Sequence, residues 1–412
     1  MNTKATGNHE LSPAAMYHAL GLHMHQPPGN LRLLIDEDEW EARQIIRCYE
    51  RVPRYARNFA GTARVHVGFS GILLEQMRSP DIIDRYRKFV DIPAVLESYR
   101  EAKNIELIGM GYYHPIFPLI PREDWDDQLI SGRQIMADTF GREPRGFWPP
   151  EMAFDMEMVP ALAKAGYEYV VVDGVHVKAT DEKTPLDTYR PYVARRGGAK
   201  ITVIPRDRDL SNAQESGLDA GWFVGEATRR AGPSSGGASS AGPSSRSASP
   251  PLVTTWSDGE NGGWFRNMAE EASFFGHFFA PFIQRVQSGE SPIHPVLISD
   301  YLKRYPPQAE AFVKTGAWNV ASTSGYDFSQ WAGSETRRRA IEKIFDVSRR
   351  YWALRGLGPT GDMKRRLEEA RRIMLESETS CFLFWGDAWV PRLYERTERA
   401  EQQLRAIEGA HD

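Results

Sequence analysis

The chain has 412 residues, of which 41% are hydrophobic and 26% are charged, a composition typical of soluble globular proteins. Its formal net charge of −4 gives no electrostatic reason to expect nucleic acid or an anionic membrane surface as the partner, and a neutral substrate fits better. Cys48 and Cys381 are its two cysteines, so the sequence excludes a disulfide framework and a cysteine metal cluster.

The first residues and the apolar runs of the chain bear on its location. The opening MNTKATGNHELSPAAMYHAL lacks a basic segment followed by an apolar core. No uninterrupted apolar run reaches the ~18 residues of a membrane-spanning helix. We therefore expect a cytoplasmic protein with no membrane partner, and the sequence leaves its oligomeric state open.

Short apolar runs that are typical of buried strands alternate with longer amphipathic or charged helices in the first two thirds of the chain. The predicted strands, in chain order, are 16–26, 63–70, 104–114, 144–150, 167–177, 199–207 and 252–258. Predicted helices between them include 80–103, 122–140 and 155–166. This alternation predicts parallel βαβ units, and the seven strands suggest a barrel.

Two further segments determine the predicted domain organisation. Residues 231–251, AGPSSGGASSAGPSSRSASPP, are almost entirely Gly, Ser, Ala and Pro, which predicts a flexible insertion within a barrel domain spanning 1–265. Beyond about 266 the chain is predicted to be helical throughout, with runs at 267–289, 296–304, 335–354, 362–377 and from about 390. We expect residues 266–412 to form a helical C-terminal region that completes the cleft of the barrel.

Polar residues at strand ends are site candidates, because functional groups of parallel α/β barrels collect at the C-terminal ends of the strands. The first and third strands deliver His23, His25 and His114, and His23 and His25 could hold zinc, although no third or fourth ligand is evident nearby. Later strand ends deliver acids and their aromatic or cationic neighbours: Trp148, Glu151, Asp173, His176, Arg206, Trp256, Asp258, Glu260 and Trp264. Acids from distant strands favour two carboxylates acting across one sugar-binding cleft, as glycoside hydrolysis needs. Glu151 alone has a second interpretation, a charge at the start of the following helix.

Five short motifs, in this order along the chain, resemble the five regions that mark glycoside hydrolase family 57. They are HMHQPP at 23–28, GMGYYHPI at 109–116, GFWPPE at 146–151, WSDGENGGW at 256–264 and, more loosely, CFLFWGDAW at 381–389. The resemblance implies an incomplete (β/α)7 barrel with a helical extension. It also implies a retaining enzyme that acts on α-glucans, with no cofactor and no metal.

The resemblance implies that Glu151 is the nucleophile and Asp258 the acid/base, a role for which Glu260 is the rival on sequence alone. Glu151 must then be ionised and Asp258 protonated. Nearby Arg206 or Arg208, or protonated His25 or His114, could keep Glu151 ionised, and burial against tryptophans could keep the proton on Asp258. His25 and His114 are expected to hydrogen-bond sugar hydroxyls. The other candidates for substrate binding are Trp148, Asp173, His176, Arg206, Trp256, Trp264, Trp385, Asp387 and Trp389.

Several activities remain open. Double displacement on α-1,4-linked glucose polymers or oligosaccharides ends in hydrolysis or, with the same two acids, in transglycosylation by a 4-α-glucanotransferase or a branching enzyme. A metal-dependent carbohydrate deacetylase or zinc mannosidase would need a bound metal with His23 or His25 as a ligand. A carbohydrate-binding protein with an inactive site is disfavoured, because both acids are present.

Overall fold

The structure is a computed structural model that describes residues 14–232, 249–318 and 326–409. The strands in these ranges are β1 (Met16–Met24), β2 (Val65–Phe69), β3 (Ile105–Gly109), β4 (Gly146–Phe147), β5 (Tyr169–Asp173), β6 (Val177–Lys178), β7 (Tyr192–Arg196), β8 (Ala199–Arg206), β9 (Leu252–Asp258), β10 (Ile293–Pro295) and β11 (Phe312–Val313). All seven predicted strands are present, as β1 to β5, β8 and β9.

The helices fall into two groups along the chain. Those up to β9 are α1 (Asn30–Glu37), α2 (Glu39–Asn58), α3 (Gly71–Met77), α4 (Pro80–Tyr86), α5 (Ile92–Glu101), α6 (Arg122–Phe140), α7 (Met158–Lys164), α8 (Arg208–Ser216) and α9 (Ala220–Ala231). Those after β9 are α10 (Gly262–Arg266), α11 (Ala280–Gln287), α12 (Ile298–Arg304), α13 (Ser329–Ala332), α14 (Glu335–Gly356), α15 (Gly361–Ser377), α16 (Cys381–Phe384) and α17 (Val390–Glu408). None of the helices in the described ranges is both long and apolar enough to cross a membrane.

One sheet forms the centre of the molecule and confirms the predicted α/β fold. Its order is β10-β1-β2-β3-β4-β5-β8-β7, with β9 also paired to β1, and the seven predicted strands run parallel. The barrel is incomplete, because in the described residues no ladder joins β8 to β9. Across this gap the backbone N–H of Asp207 donates to the Thr254 carbonyl at 2.9 Å, and Ser211 Oγ on α8 accepts from the backbone N–H of Trp256 at 3.0 Å.

Several predicted elements differ from the observed ones. The helix predicted over 80–103 is two helices, α4 and α5, whereas α6 has the predicted bounds 122–140. The expectation that the chain is helical throughout beyond 266 is wrong, because β10 pairs with β1 and β11 pairs with β6. Most of the predicted insertion at 231–251 lies outside the described residues.

The C-terminal helices α14, α15 and α17 pack together around a small apolar core that includes Val347, Leu367, Met374 and Leu404. After α15 the chain returns to the barrel, where the backbone N–H of Ser380 donates to the His114 carbonyl at 3.0 Å. This return brings α16 and the residues around it to the C-terminal ends of the strands.

Candidate active site

A cavity of 360 Å³ opens at the C-terminal ends of β1 and β9, and the helical C-terminal region forms one of its walls. Glu151 and Asp258 both line it. The C-terminal region contributes Cys381, Phe384, Trp385 and Trp389 to the lining. The rings of Trp385 and Trp389 lie 6.0 Å apart, and Trp385 is 58% exposed, so the cavity opens beside an accessible aromatic pair.

Glu151 lies in a 3-10 turn, Pro150–Met152, and the following helix α7 begins only at Met158. Its interpretation as a charge in the first turn of that helix is therefore wrong. Glu151 and Met152 have left-handed backbone angles, φ 58° and 52°, which cost a non-glycine residue roughly 1–3 kcal/mol each. The turn aims the carboxyl group into the cavity: Oε2 accepts from Trp318 Nε1 at 2.9 Å, and Oε1 lies 3.1 Å from Ser380 Oγ.

Asp258 ends β9, opposite His23 in the β1–β9 ladder. This register places His23 Nδ1 2.8 Å from Asp258 Oδ1, while Asn261 Nδ2 donates to Oδ2 at 2.7 Å. Glu260 is buried instead, and it accepts from the backbone N–H of His25 at 2.7 Å. Since Glu260 does not line the cavity, the geometry favours Asp258 as the acid that meets a substrate.

The histidines at the strand ends form a buried cluster on one side of the cavity. The rings of His25 and His114 stack 3.9 Å apart, and the Nε2 atoms of His23 and His114 lie 2.7 Å apart. The other ring nitrogens also have partners at 2.8–3.0 Å, which are Ser380 Oγ for His114 and Ser70 Oγ and Cys381 Sγ for His25. His25 and His114 both line the cavity, where they were expected to bind sugar hydroxyls, and such a contact would replace one of these protein hydrogen bonds.

The protonation states of Glu151 and Asp258 are the reverse of those expected from the sequence. Burial, together with the charge of Asp258, raises the pKa of Glu151 to about 8. Burial would raise the pKa of Asp258 as well, but the hydrogen bonds from His23 and Asn261 bring it below its ordinary value. Without substrate, Glu151 is therefore protonated at neutral pH and Asp258 is ionised.

The four side chains that were expected to keep Glu151 ionised do not do so: two are paired with another acid and two are neutral. Arg206 and Arg208 lie 3.4 and 3.0 Å from a carboxylate oxygen of Asp173, so their charges are paired there. Burial lowers the pKa values of His25 and His114 well below the ordinary value, which leaves both rings neutral. Neither the arginines nor the histidines therefore offset the burial that raises the pKa of Glu151.

The raised pKa of Glu151 predicts a pH-dependent loss of stability. Between about pH 4.5 and 8 the folded protein holds a proton that the unfolded chain has released, so the free energy of unfolding falls as the pH rises through this window. At about 1.4 kcal/mol for each pKa unit, the loss approaches about 5 kcal/mol. Glu151→Gln stays neutral and should lack this loss, which denaturant titrations of both proteins from pH 5 to 9 would measure.

The control for that measurement is Glu168→Gln, which removes an exposed carboxylate that is paired with Arg145. A constant difference in unfolding free energy between the wild type and Glu151→Gln from pH 5 to 9 would contradict the prediction.

Seven predicted substrate contacts do not line the cavity: Trp148, Asp173, His176, Arg206, Trp256, Trp264 and Asp387. Trp148 and Trp256 are fully buried, so neither ring can stack on a sugar. Trp148 packs 4.2 Å from the His23 ring and supports it from behind. The ring of Trp256 covers Gly21, where a side chain would collide with the indole.

The polar groups of the other residues among these seven form hydrogen bonds or ion pairs within the protein. His176 Nε2 lies 2.9 Å from the Ala317 carbonyl, and Trp264 Nε1 donates to the Gln214 carbonyl at 3.0 Å. Asp387 forms an ion pair of 3.1 Å with Arg337. These residues, together with the Asp173–Arg206 pair, shape the surroundings of the cavity.

Sequence reasoning missed three groups that act on the two acids. Trp318 and Ser380 contact the carboxyl oxygens of Glu151, and burial with the charge of Asp258 raises the pKa of Glu215 to about 7. None of the three lies in a recognised motif. Ser380 came nearest to detection, because it directly precedes CFLFWGDAW.

A metal centre was the alternative for His23 and His25. In the ranges that the structure describes, no group of three or more His, Cys, Asp or Glu side chains is arranged to hold a metal ion. The ring nitrogens of His23 lie within 2.8 Å of Asp258 and His114. The described geometry therefore offers no support for a metal-dependent deacetylase or mannosidase.

Comparison with known proteins gives three concordant results. The sequence profile described as "Glycosyl hydrolase family 57" matches residues 19–314. "Alpha-amylase 1" of Dictyoglomus thermophilum is 24% identical over 81% of this chain and 43% of its own length, and "4-alpha-glucanotransferase" of Thermococcus litoralis is 31% identical over 46% and 26%. This chain thus spans less than half the length of these curated relatives.

Among solved structures, a GH57-type branching enzyme from Pyrococcus horikoshii superposes with a TM-score of 0.70 at 17% identity. The superposition covers 95% of this chain and 88% of that one. At this level of identity, the likeness shows a shared fold.

Proposed function

Because this chain belongs to glycosyl hydrolase family 57, we propose that it is a retaining glycosidase that cleaves α-linked glucose polymers or oligosaccharides. The observation that carries the proposal is the meeting of Glu151 and Asp258, from the ends of β4 and β9, at one cavity. Two carboxyl groups on either side of a scissile bond are the minimum that glycoside hydrolysis requires.

In the proposed mechanism Glu151 attacks the anomeric carbon while Asp258 gives its proton to the departing oxygen. In the second step Asp258 takes a proton from the incoming hydroxyl, which then displaces Glu151. Donors from Trp318 and Ser380 to the two carboxyl oxygens of Glu151 stabilise its ionised form during the attack.

The cavity suits a neutral, ring-shaped substrate. Trp385 and Trp389 offer aromatic faces beside the opening, and the Arg392 guanidinium lies 3.9 Å from the centroid of the Trp389 ring. That cation occupies one face of Trp389, so a sugar would stack on the other face or on Trp385. Apolar C–H faces of glucose rings stack well on such surfaces, and this supports an α-glucan substrate.

Hydrolysis and transglycosylation share the first step and differ in whether water or a sugar hydroxyl attacks the glycosyl–enzyme intermediate. The relatives named above include both an amylase and transferases, so transfer by the same two acids is the second candidate. We expect hydrolysis as the main reaction.

Incubation with a single purified maltooligosaccharide tests this proposal. Hydrolysis predicts shorter products with a rise in reducing ends, whereas transfer predicts longer products at constant reducing ends, and branching adds α-1,6 linkages. Glu151→Gln protein prepared in the same way controls for contaminating amylases. Unchanged chain lengths with wild-type protein would contradict the proposed function.

A further inference from the structure

A continuous chain of hydrogen bonds joins the two acids. From Glu151 Oε1 it runs 3.1 Å to Ser380 Oγ, 2.8 Å to His114 Nδ1, then from Nε2 2.7 Å to His23 Nε2, and finally from Nδ1 2.8 Å to Asp258 Oδ1. His23, His114 and Ser380 are at most 5% exposed. We name these three residues the bridge.

Counting donors along the bridge links the tautomers of its two histidines to the acid that holds the proton. A neutral imidazole has one N–H and one acceptor nitrogen, and a serine hydroxyl has one hydrogen to donate. If His114 donates from Nε2 to His23, then His114 Nδ1 must accept from Ser380, and Ser380 must accept from a protonated Glu151. His23 then donates from Nδ1 to an ionised Asp258.

If instead His23 donates from Nε2 to His114, every bond reverses. His23 Nδ1 then accepts from a protonated Asp258, His114 Nδ1 donates to Ser380, and Ser380 donates to an ionised Glu151. With neutral imidazoles, one proton is therefore shared by the two acids, and the tautomers of both histidines report which acid holds it.

We propose that the bridge of His23, His114 and Ser380 moves one proton between Glu151 and Asp258 and thereby switches the site between a resting and a reactive form. The proton leaves Glu151 for Ser380 Oγ, the serine proton passes to His114 Nδ1, the His114 Nε2 proton to His23 Nε2, and the His23 Nδ1 proton to Asp258. One negative charge moves in the opposite direction: Glu151 loses one proton, Asp258 gains one, and Ser380, His114 and His23 each give up one proton and receive one. The catalytic use of the switch, though not its existence, rests on the function proposed above.

Proton transfer along the bridge is required because the resting site holds its proton on the acid that must attack. The resting form has the proton on Glu151, whereas nucleophilic attack needs it on Asp258. A leaving oxygen beside Asp258 can accept a hydrogen bond only from the protonated acid, so substrate favours the reactive form. Other titratable or charged groups face the bridge and its ends among the described residues: His25, Cys381, Glu260, Arg206 and Glu215. Burial keeps His25 neutral and raises the pKa of the Cys381 thiol to about 12.

Two isosteric variants should lock the bridge in opposite forms. In Glu151→Gln the amide oxygen must accept from Trp318 Nε1, which has no acceptor capacity, so the amide nitrogen donates to Ser380. In Asp258→Asn the amide oxygen accepts from Asn261 Nδ2, so the amide nitrogen donates to His23. Asn261 cannot readily flip, because its Oδ1 accepts from Arg266.

The test is nitrogen NMR of histidine-labelled protein without substrate. In Glu151→Gln we expect His114 protonated on Nε2 and His23 on Nδ1. In Asp258→Asn we expect both tautomers exchanged, so the Nδ1 and Nε2 resonances of each ring swap between their protonated and unprotonated ranges. Identical tautomers in the two variants would overturn the proposal.

Ser70→Ala is the control that separates the bridge from simple packing, because Ser70 makes an equal 2.8 Å bond to the Nδ1 of His25, outside the bridge. In this background the tautomers of His23 and His114 should still differ between Glu151→Gln and Asp258→Asn. Loss of the difference there would mean that the tautomers follow general packing, against the proposal.

Thermal melting checks that each variant folds, and the comparison of Glu151→Gln with Asp258→Asn stands without Ser70→Ala. The tautomers are read without turnover. An inactive wild-type chain with exchanged tautomers would therefore overturn the proposed function and leave the bridge intact, whereas identical tautomers in an active enzyme would overturn the bridge alone.

Discussion

Replacing Glu151 with alanine is expected to lower the rate of α-glucan cleavage by at least ~10³-fold, because no other group takes the place of the attacking carboxylate. The truncated side chain leaves room in the cavity for a small anion. Azide should then attack an aryl α-maltoside directly and yield the β-glycosyl azide, with inverted configuration. Rates with and without azide, and the configuration of the product, are the measurements.

Glu260→Gln is the matched control for this variant, because Glu260 is also a buried glutamate but does not line the cavity. It should show no rescue by azide. An α-configured azide from Glu151→Ala, or a loss of activity below about tenfold, would mean that Glu151 is not the nucleophile.

Asp258→Asn is expected to have an effect that depends on the leaving group. General acid catalysis contributes about 10²–10⁴-fold, so cleavage of natural glucans should fall by that factor. An aryl glycoside whose phenol leaves without protonation should keep most of its first-step rate. The glycosyl–enzyme should then accumulate, because the second step lacks its base, and added azide should release it as the α-glycosyl azide.

Asn261→Ala provides the comparison, since it removes a hydrogen bond to Asp258 but leaves the carboxyl group of Asp258 in place. Its losses should be similar for the natural and the aryl substrates. If Asp258→Asn lowers both rates equally, Asp258 does not act as the acid.

The regular parts of the fold could be predicted because their signals are local. Parallel strands buried on both faces appear as continuous apolar runs, and all seven were found. The strand β7 was missed although its signal was present: Gly197 and Gly198 form a two-residue turn with φ 54° and 79°, which suits an antiparallel hairpin with β8. β10 has three residues and pairs only with the start of β1, so nothing in its own sequence identifies it as a strand.

For the site, the sequence identified both acids but not their partners. The contact between His23 and Asp258 depends on the register of β1 against β9, and Ser380 reaches Glu151 only through the packing of α14, α15 and α17. These are long-range consequences of tertiary structure that no local pattern encodes. The direction of the pKa shifts was therefore predicted wrongly: the sequence suggested Trp256 and Trp264 as the environment of Asp258, whereas His23 is its partner.

The return of the chain from α15 to the barrel has a consequence for synthesis on the ribosome. Proteins emerge from the N-terminus, and folding units form in that order. Every strand of the parallel sheet precedes Ser380, so the barrel can form while Glu151 still lacks its serine partner. A nascent barrel would thus hold both acids before the link between them exists, and the site would be complete only once the C-terminal helices dock.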